Sequence, residues 1–328
     1  MITRRSFVIA LGSYAATPYA LHAQQAGRIP RIGVLWHDAS AEAEGVFFKA
    51  LIEGFQALGY VDGRNVKFEH RFANEKPELF TSMAAELVAL KVDILVGIAT
   101  SAGQAVKSAT MTIPTIFALS ADPVRTKLVE SLRRPGGNMT GLSTITIDLA
   151  GKRLQHLKDV VPRLSRVALL GVPNSESTAA YFDEAKAVAP KLGITLRTFE
   201  VSSINDISGA FEVMPQAGIQ AVATTGESLF YVTREHIAKM ALIKRLPFCA
   251  NYKQGADAGA FMSYGVDLVA IVRRVGSFAD RILKGEKPAE MAVEQPTVFD
   301  FVVNLRTAKA LGIKIPERIL VQATAVID

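Results

Sequence analysis

Short apolar segments alternate with longer amphipathic segments along almost the whole chain, and this alternation restricts the possible folds more than any other feature. Strands are predicted at Arg31–Trp36 and at Val92–Val96. The segments Pro77–Leu90 and Ser101–Ala109, which follow strands, have the pattern of helices. Regular alternation of apolar strands with helices favours a parallel sheet covered by helices on both faces, so the sequence predicts an α/β fold.

The second half of the chain repeats this plan. Further strands are predicted at Arg166–Leu170, Ile194–Val201, Ile219–Ala223 and Pro247–Ala250, with helical segments between them. Two similar halves, each with its own sheet, fit a pair of lobes better than one large sheet. The length of 328 residues also suits two domains better than one.

The first 26 residues have the pattern of an export signal. Arg4 and Arg5 precede the apolar run Phe7–Ala16, and Ala23 is the small residue that signal peptidase favours. We therefore interpret 1–26 as a cleaved signal peptide and expect a periplasmic protein. A membrane anchor is the alternative, but polar residues after Ala16 leave a short apolar core for a bilayer. The arginine pair also resembles a twin-arginine signal, so the export route stays open.

Charge and composition argue against a nucleic-acid partner. The net charge of +6 arises from basic residues that are spread along the chain and matched by acidic ones. Nucleic-acid binding requires a basic patch or stripe, which this distribution lacks. The composition, 49% hydrophobic and 21% charged, is that of a globular protein.

The residues that could perform catalysis are few. After the signal, the histidines His37, His70, His156 and His236 do not have metal-ligand spacing, and the sequence has no G-x-S-x-G, P-loop or G-x-G-x-x-G motif. His37 and Asp38 form a possible acid–base pair at a strand end, but no nucleophile or cofactor motif accompanies them. We therefore expect a binding protein with no catalytic residues, no metal and no cofactor.

A polar loop between Ser120 and Gly141 follows the strand predicted at Ile113–Leu119. α/β proteins place ligands at the carboxyl ends of their strands, so Ser120 and Asp122 are candidate ligand contacts. Asp122 could bind an ammonium group, or it could be a turn residue that accepts hydrogen bonds from its own backbone. The Pro135–Gly137 turn further along is expected to shape the chain's path towards the second lobe.

Several motifs occur along the chain in a fixed order. With them the chain resembles the periplasmic substrate-binding proteins of ABC transporters of the TrpX type, whose members include tryptophan-binding proteins. The likeness runs from about Arg31 to the last residue. The motifs are Gly59–Val66, Asp122–Val124, Arg134–Gly141, Met262–Gly265, Val293–Thr297 and Asn304–Gly312.

The resemblance implies a type I periplasmic-binding fold, in which two Rossmann-like lobes joined by three crossovers close on a ligand. On that template lobe 1 comprises 31–143 plus 258–303, and lobe 2 comprises 144–257 plus 304–328. The implied function is that of an exported solute-binding protein of an ABC importer, which delivers a small molecule to a membrane permease. An amino acid or related carboxylate is the favoured ligand, and we expect a monomer. An enzyme or a ligand-sensing module on the same fold is the alternative.

In such a fold the strand ends of both lobes face the ligand cleft. Thr100 and Ser101 could bind a carboxylate with their hydroxyls and the N–H groups of a helix start, or could simply cap that helix. Trp36 and Tyr264 could line the cleft or lie in the core. The remaining candidate ligand contacts at strand ends are Asn174, Thr225, Glu227 and Asn251.

Overall fold

A computed structural model describes residues 28–161 and 163–328, and the interpretation of 1–26 as a signal peptide lies outside these residues. The described strands form two separate sheets. None of the described helices has the length and apolarity required to cross a membrane.

The first sheet contains β1 (Arg31–Trp36), β2 (Lys67–Phe72), β3 (Ile94–Ile98), β4 (Thr115–Ser120) and β5 (Met139–Ser143). The second contains β6 (Arg166–Gly171), β7 (Thr195–Glu200), β8 (Ala221–Thr224), β9 (Phe248–Ala250), β10 (Met262–Gly265), β11 (Asp300–Asn304) and β12 (Ala325–Ile327).

Helices occupy most of the connections between these strands. Two short 3₁₀ helices, Ala189–Leu192 and Pro288–Glu290, accompany them. The α-helices are α1 (Ala41–Glu44), α2 (Val46–Gln56), α3 (Pro77–Ala89), α4 (Thr100–Ala109), α5 (Ala150–Val160), α6 (Glu176–Val188), α7 (Ile204–Val213), α8 (Ser228–Val232), α9 (Arg234–Ile243), α10 (Lys253–Asp257), α11 (Leu268–Leu283), α12 (Leu305–Leu311) and α13 (Glu317–Gln322).

The two sheets define two lobes of the predicted α/β type. In lobe 1 the strand order is β2-β1-β3-β4-β5, and every neighbouring pair is parallel. In lobe 2 the order is β12-β11-β10-β9-β8-β6-β7, with β10 and β11 as the antiparallel pair. The predicted fold class, two parallel-dominated α/β lobes, is confirmed.

Helices cover both faces of each sheet, which explains why the central strands are almost wholly apolar. In β1, Ile32, Val34 and Trp36 pack towards α2 and α11, whereas Leu35 packs towards α3 and α4. Residues of a strand that alternate between two buried faces must all be apolar, so the strand has a continuous apolar sequence instead of an alternating one.

Helix α11 packs very closely against α2 in lobe 1. A Cβ atom on Gly54 would lie 2.1 Å from the carbonyl oxygen of Arg273, and one on Gly276 would lie 2.6 Å from the backbone of Gly54. Both glycines are therefore required for this helix contact. The Asp267 carboxylate accepts hydrogen bonds from the N–H groups of Val269 and Ala270 and so fixes where α11 begins.

The sheet membership of β10 and β11 differs from the expected lobe boundaries, which placed the whole of 258–303 in lobe 1. Met262 of β10 pairs in parallel with Cys249 of β9, and β11 pairs with β10, so both strands belong to lobe 2. Only α11 and the following segment pack on lobe 1, where Leu142 and Glu294 form a bridge. An apolar strand pattern does not specify which of two sheets the strand joins, since neighbouring strands decide this. The chain therefore passes between the lobes near 144, 266 and 297.

The fully buried Arg153 joins the lobe 2 ends of two of these crossovers. Its Nε donates to the carbonyl oxygen of Tyr264 at 2.7 Å, and its Nη1 donates to that of Thr146 at 2.9 Å. Nη1 also lies 3.3 Å from the hydroxyl of Tyr181. No carboxylate of the described chain lies within 4.0 Å of the guanidinium, so backbone dipoles and a phenol compensate this buried charge.

Replacing Arg153 should destabilise the protein strongly. In Arg153→Ala two buried carbonyl groups lose a charged donor and a large cavity opens, so we expect a loss of about 3 kcal/mol or more in the free energy of unfolding. Chemical denaturation measures this loss. Lys152→Ala, at the exposed neighbouring position of α5, is the matched control and should change stability by less than about 0.5 kcal/mol. Equal stability of the two variants would contradict the structural role of Arg153.

Candidate ligand-binding site

A small cavity lies between the two lobes, where the carboxyl ends of their strands meet. Its volume is about 20 Å³, which is room for about one water molecule. The lobes are therefore closed on each other, and any larger ligand requires them to separate. Lobe 1 contributes His37, Phe47, Ala99, Thr100, Leu119 and Leu268, and lobe 2 contributes Gly226, Glu227, Ser228, Tyr231 and Tyr252. We call this space the interlobe cavity.

A second cavity of about 20 Å³, the lobe 2 cavity, adjoins the first. Glu227, Tyr231 and Tyr252 line both cavities, and Arg234 and Asn251 are among the residues that line only the second. A larger depression of about 590 Å³ lies around Arg31 and Lys67, at the opposite, amino ends of the lobe 1 strands. Because ligands of open α/β sheets bind at the carboxyl ends, the two adjoining cavities are the candidate site.

The interlobe cavity has one apolar, aromatic wall. The ring centroids of Phe47 and Tyr231 are 5.1 Å apart, and Leu119 and Leu268 extend the apolar surface. Ala99 directly follows β3, and Leu119 is the penultimate residue of β4. Their φ values are 79° and 60°. Such conformations are strained for residues other than glycine and are frequent at ligand sites. The wall could receive the apolar or aromatic part of a ligand.

Glu227 is a buried carboxylate without a cation. It is only 9% exposed, and its Oε1 accepts hydrogen bonds from Ser175 Oγ at 2.6 Å and Thr178 Oγ1 at 3.2 Å. Burial raises the pKa of Glu227, while these hydroxyls oppose the increase. No lysine, arginine or histidine nitrogen of the described chain lies within 4.0 Å of it. Burying a charge without a partner is costly, so the site is suited to a ligand cation.

A chain of charged and polar side chains crosses from lobe 1 to lobe 2. Within lobe 1, Nδ1 of the buried His37 donates to Glu75 Oε1 at 2.9 Å, and His37 Nε2 lies 3.6 Å from Glu44. Burial lowers the pKa of His37, but Glu44, Glu75 and Asp38 outweigh it and raise the pKa to about 9. Glu75 Oε2 then accepts a hydrogen bond of 2.8 Å from Ser228 Oγ in lobe 2.

Two ion pairs also join the lobes, at the exposed rim of the cleft. Lys127 Nζ lies 2.8 Å from Glu176, and Arg125 lies 3.7 Å from Glu184. Exposed pairs of this kind are typically worth less than about 1 kcal/mol. The half-buried contact between Glu75 and Ser228 is therefore less exposed to solvent than these ion pairs and is the stronger polar connection in the closed arrangement.

The amino end of α4 points at the interlobe cavity. Thr100 begins this helix and lines the cavity, and its Oγ1 accepts a hydrogen bond of 3.2 Å from Ala121 N. The first N–H groups of any α-helix have no partner within the helix, and they favour an anion. Ser101 follows in the same turn and does not line the cavity.

The structure brings together three of the residues predicted as ligand contacts. Thr100 and Glu227 line the interlobe cavity, and Asn251 lines the lobe 2 cavity. Ser120 and Thr225 are fully buried beside the strand ends without lining either cavity, and both hydroxyl oxygens lack a hydrogen-bond partner among the described residues.

The remaining predicted contacts lie away from the two cavities. Asp122 Oδ1 accepts hydrogen bonds of 3.0 Å from the N–H groups of Val124 and Arg125, as a turn residue does. Asn174 is exposed in a turn at a φ of 56°.

Trp36 and Tyr264 pack into the hydrophobic cores. The Nε1 of Trp36 donates to His70 Nδ1 at 3.0 Å, and the ring of Tyr264 lies 4.8 Å from that of His156. Among the residues described, no group of three or more histidine, cysteine or acidic side chains is placed to hold a metal ion.

Some residues that line or support the interlobe cavity have no local sequence signal. Phe47 lies on the core side of α2, and Tyr231 lies within a short helix beyond a strand end. Glu75 follows β2 in a turn, and only the approach of lobe 2 brings Ser228 to it. His37 directly follows β1 and Tyr252 lies two residues after β9, so their positions at strand ends are the signal by which they could be found.

Two α/β lobes, connected by three crossovers and closed over a site at their strand ends, define the type I periplasmic-binding fold. The chain belongs to the family of ABC transporter substrate binding proteins, whose model matches residues 32–327.

Relatives of known structure or binding activity agree with this assignment. A conserved domain protein from Vibrio cholerae has a TM-score of 0.86 and 27% identity, covering 91% of this chain and 100% of its own. An ABC domain from Streptococcus pneumonia, solved in complex with L-Trp, has a TM-score of 0.85 and 29% identity, covering 92% and 100%. A tyrosine-binding protein of Clostridioides difficile is 25% identical over 267 residues, covering 81% of this chain and 76% of the relative.

The raised pKa of His37 makes stability depend on pH. A histidine whose folded pKa of about 9 exceeds its ordinary value of 6.5 stabilises the fold fully below pH 6.5 and loses that contribution as pH rises through 9. We expect the free energy of unfolding to fall by up to about 3 kcal/mol across this window. Denaturation at several pH values measures it. The decrease should disappear in His37→Gln and persist in His236→Gln; a profile that His37→Gln leaves unchanged would contradict the assignment.

Proposed function

We propose that this protein is an exported solute-binding protein of an ABC importer and that it binds a free amino acid between its lobes. Membership of the family and the closed two-lobed fold support the transport role. The pattern of 1–26 supports export through a cleaved signal to the periplasm. There the protein would deliver its ligand, without converting it, to a membrane permease.

The buried Glu227 carboxylate is the observation that most supports an amino acid as the ligand. It lines the interlobe cavity, and hydroxyl groups, not cations, hold it in place. A ligand ammonium group would supply the missing positive charge and hydrogen-bond donors. Sugars have no such cation, and carboxylic acids without an amine would add a second negative charge near Glu227.

The opposite lobe suits the ligand's carboxylate. The amino end of α4, at Thr100, offers backbone N–H groups and the positive end of the helix dipole. The wall that includes Phe47 and Tyr231 would then receive the side chain. Because the ammonium site lies in lobe 2 and the carboxylate site in lobe 1, one amino acid would bridge the two lobes.

Bridging provides a mechanism for closure. The ligand enters when the lobes are apart, since the closed cavity has room for only about one water molecule. Contacts made to both lobes at once exist only in the closed form, so binding shifts the population towards it. The permease would recognise the two rims that closure brings together, around Lys127 and Glu176.

The role of Glu227 can be tested with two ligands that differ in the amine. Isothermal titration calorimetry of the purified protein should show binding of L-tyrosine and at least tenfold weaker binding of 3-(4-hydroxyphenyl)propionate, which lacks the ammonium group. Glu227→Gln should weaken L-tyrosine binding at least tenfold because it removes the buried charge. Glu212→Gln, at an exposed position of lobe 2, is the control and should bind as the unchanged protein does.

Three results would contradict the proposal. They are equal binding of the two compounds, tight binding of sugars with none of amino acids, and chemical conversion of a bound compound.

A further inference from the structure

The two carboxylate oxygens of Glu227 have different surroundings. Oε1 accepts hydrogen bonds from Ser175 Oγ at 2.6 Å and from Thr178 Oγ1 at 3.2 Å. Oε2 accepts no hydrogen bond shorter than 3.5 Å from the described residues, although Glu227 lines both cavities. One oxygen is therefore held by lobe 2, and the other is available to a group that enters the site.

The two hydroxyls that hold Oε1 are themselves oriented by backbone groups. Ser175 caps α6, and its Oγ accepts a hydrogen bond of 3.2 Å from Thr178 N. Thr178 Oγ1 accepts one of 3.0 Å from Val172 N. Because an N–H group can only donate, each hydroxyl uses a lone pair on the backbone and directs its own hydrogen at Glu227. The amino end of α6 adds partial positive charge on the same side of the carboxylate.

These contacts favour the charged form of Glu227. Burial raises its pKa, whereas the hydroxyls of Ser175, Thr178 and Ser177 oppose the increase, and that of Ser175 opposes it most. The Glu75 carboxylate adds to the increase. The other ionisable groups that line the two cavities are His37, Tyr231, Arg234 and Tyr252. All of these groups stay in place when Ser175 alone is replaced, so a change in pH dependence then reports on Glu227.

We propose that Ser175 is a positioning residue for ligand binding, which holds Oε1 of Glu227 so that Oε2 receives the ligand's ammonium group. This inference rests on the proposed function. Since Oε1 is already occupied, a proton taken up by Glu227 is placed on Oε2 as well. A proton and the ligand's ammonium group therefore compete for one oxygen, and acid weakens ligand binding. Ser175 sets the pH at which this occurs because its hydrogen bond stabilises the charged carboxylate.

The test is calorimetric titration of the purified protein with L-tyrosine, or with the tightest-binding standard amino acid if L-tyrosine does not bind. The pH is varied between about 5 and 7, where the ligand's ammonium group stays charged. The affinity of the unchanged protein should fall towards the acid end. Ser175→Ala should weaken binding at least threefold at neutral pH, and its affinity should begin to fall at a higher pH. Ser175→Thr keeps the hydroxyl and should restore both properties.

Ser203→Ala is the matched control for the loss of a helix cap. Ser203 caps α7 of the same lobe, where its Oγ accepts a hydrogen bond of 3.2 Å from Asp206 N, and it lines neither cavity. Both alanine variants should melt at a lower temperature than the unchanged protein, because each loses a cap. Only Ser175→Ala should change the affinity for the ligand and the pH profile of binding.

The outcomes separate this proposal from the proposed function. A Ser175→Ala protein that melts cooperatively and keeps both the affinity and the pH profile overturns the role of Ser175 and leaves amino-acid binding intact. An affinity of the unchanged protein that stays constant towards the acid end overturns the competition for Oε2, and this measurement needs no variant. Absence of binding by every standard amino acid overturns both proposals.

Discussion

The contacts of Arg153 hold together the region on which both lobes depend. Its guanidinium binds the carbonyl of Thr146, just after one crossover, and that of Tyr264, just before another. Two chain segments that are distant in sequence thereby leave lobe 2 at fixed positions. The crossovers place the strand ends of the two lobes opposite each other, and Glu75 and Ser228 meet across the cleft between them.

The cleft combines charges that the fold alone does not require. His37 is buried between Glu44 and Glu75 and balances part of their charge, whereas Glu227 has only hydroxyl partners. The surplus is negative, which favours a ligand with a positive group. Across the cavity the start of α4 supplies partial positive charge. The proposed amino-acid ligand carries a positive and a negative group, which are complementary in sign to Glu227 and to the start of α4.

Local pattern predicted the strands and helices well, and it predicted some of the residues that line the two cavities. The strand predicted at Val92–Val96 is observed at Ile94–Ile98, and the one at Arg31–Trp36 has the predicted ends, because apolar runs between polar turns mark buried strands. The rule that polar residues at strand ends face the cleft selected Thr100, Glu227 and Asn251, which line the two cavities. The same rule also selected Asp122, whose carboxylate instead holds the turn at Val124, since a residue's position at a strand end does not decide where its side chain points.

The sequence by itself determined the α/β class, the two lobes and the family, since these depend on periodicity and on motifs that are contiguous in the chain. Only the tertiary structure decided that β10 and β11 join lobe 2, because sheet membership is set by hydrogen bonds to strands far away in sequence. It also decided the composition of the site. Phe47, Glu75 and Tyr231 contribute through packing of separate segments, and burial, which only packing produces, makes the charge of Glu227 chemically significant.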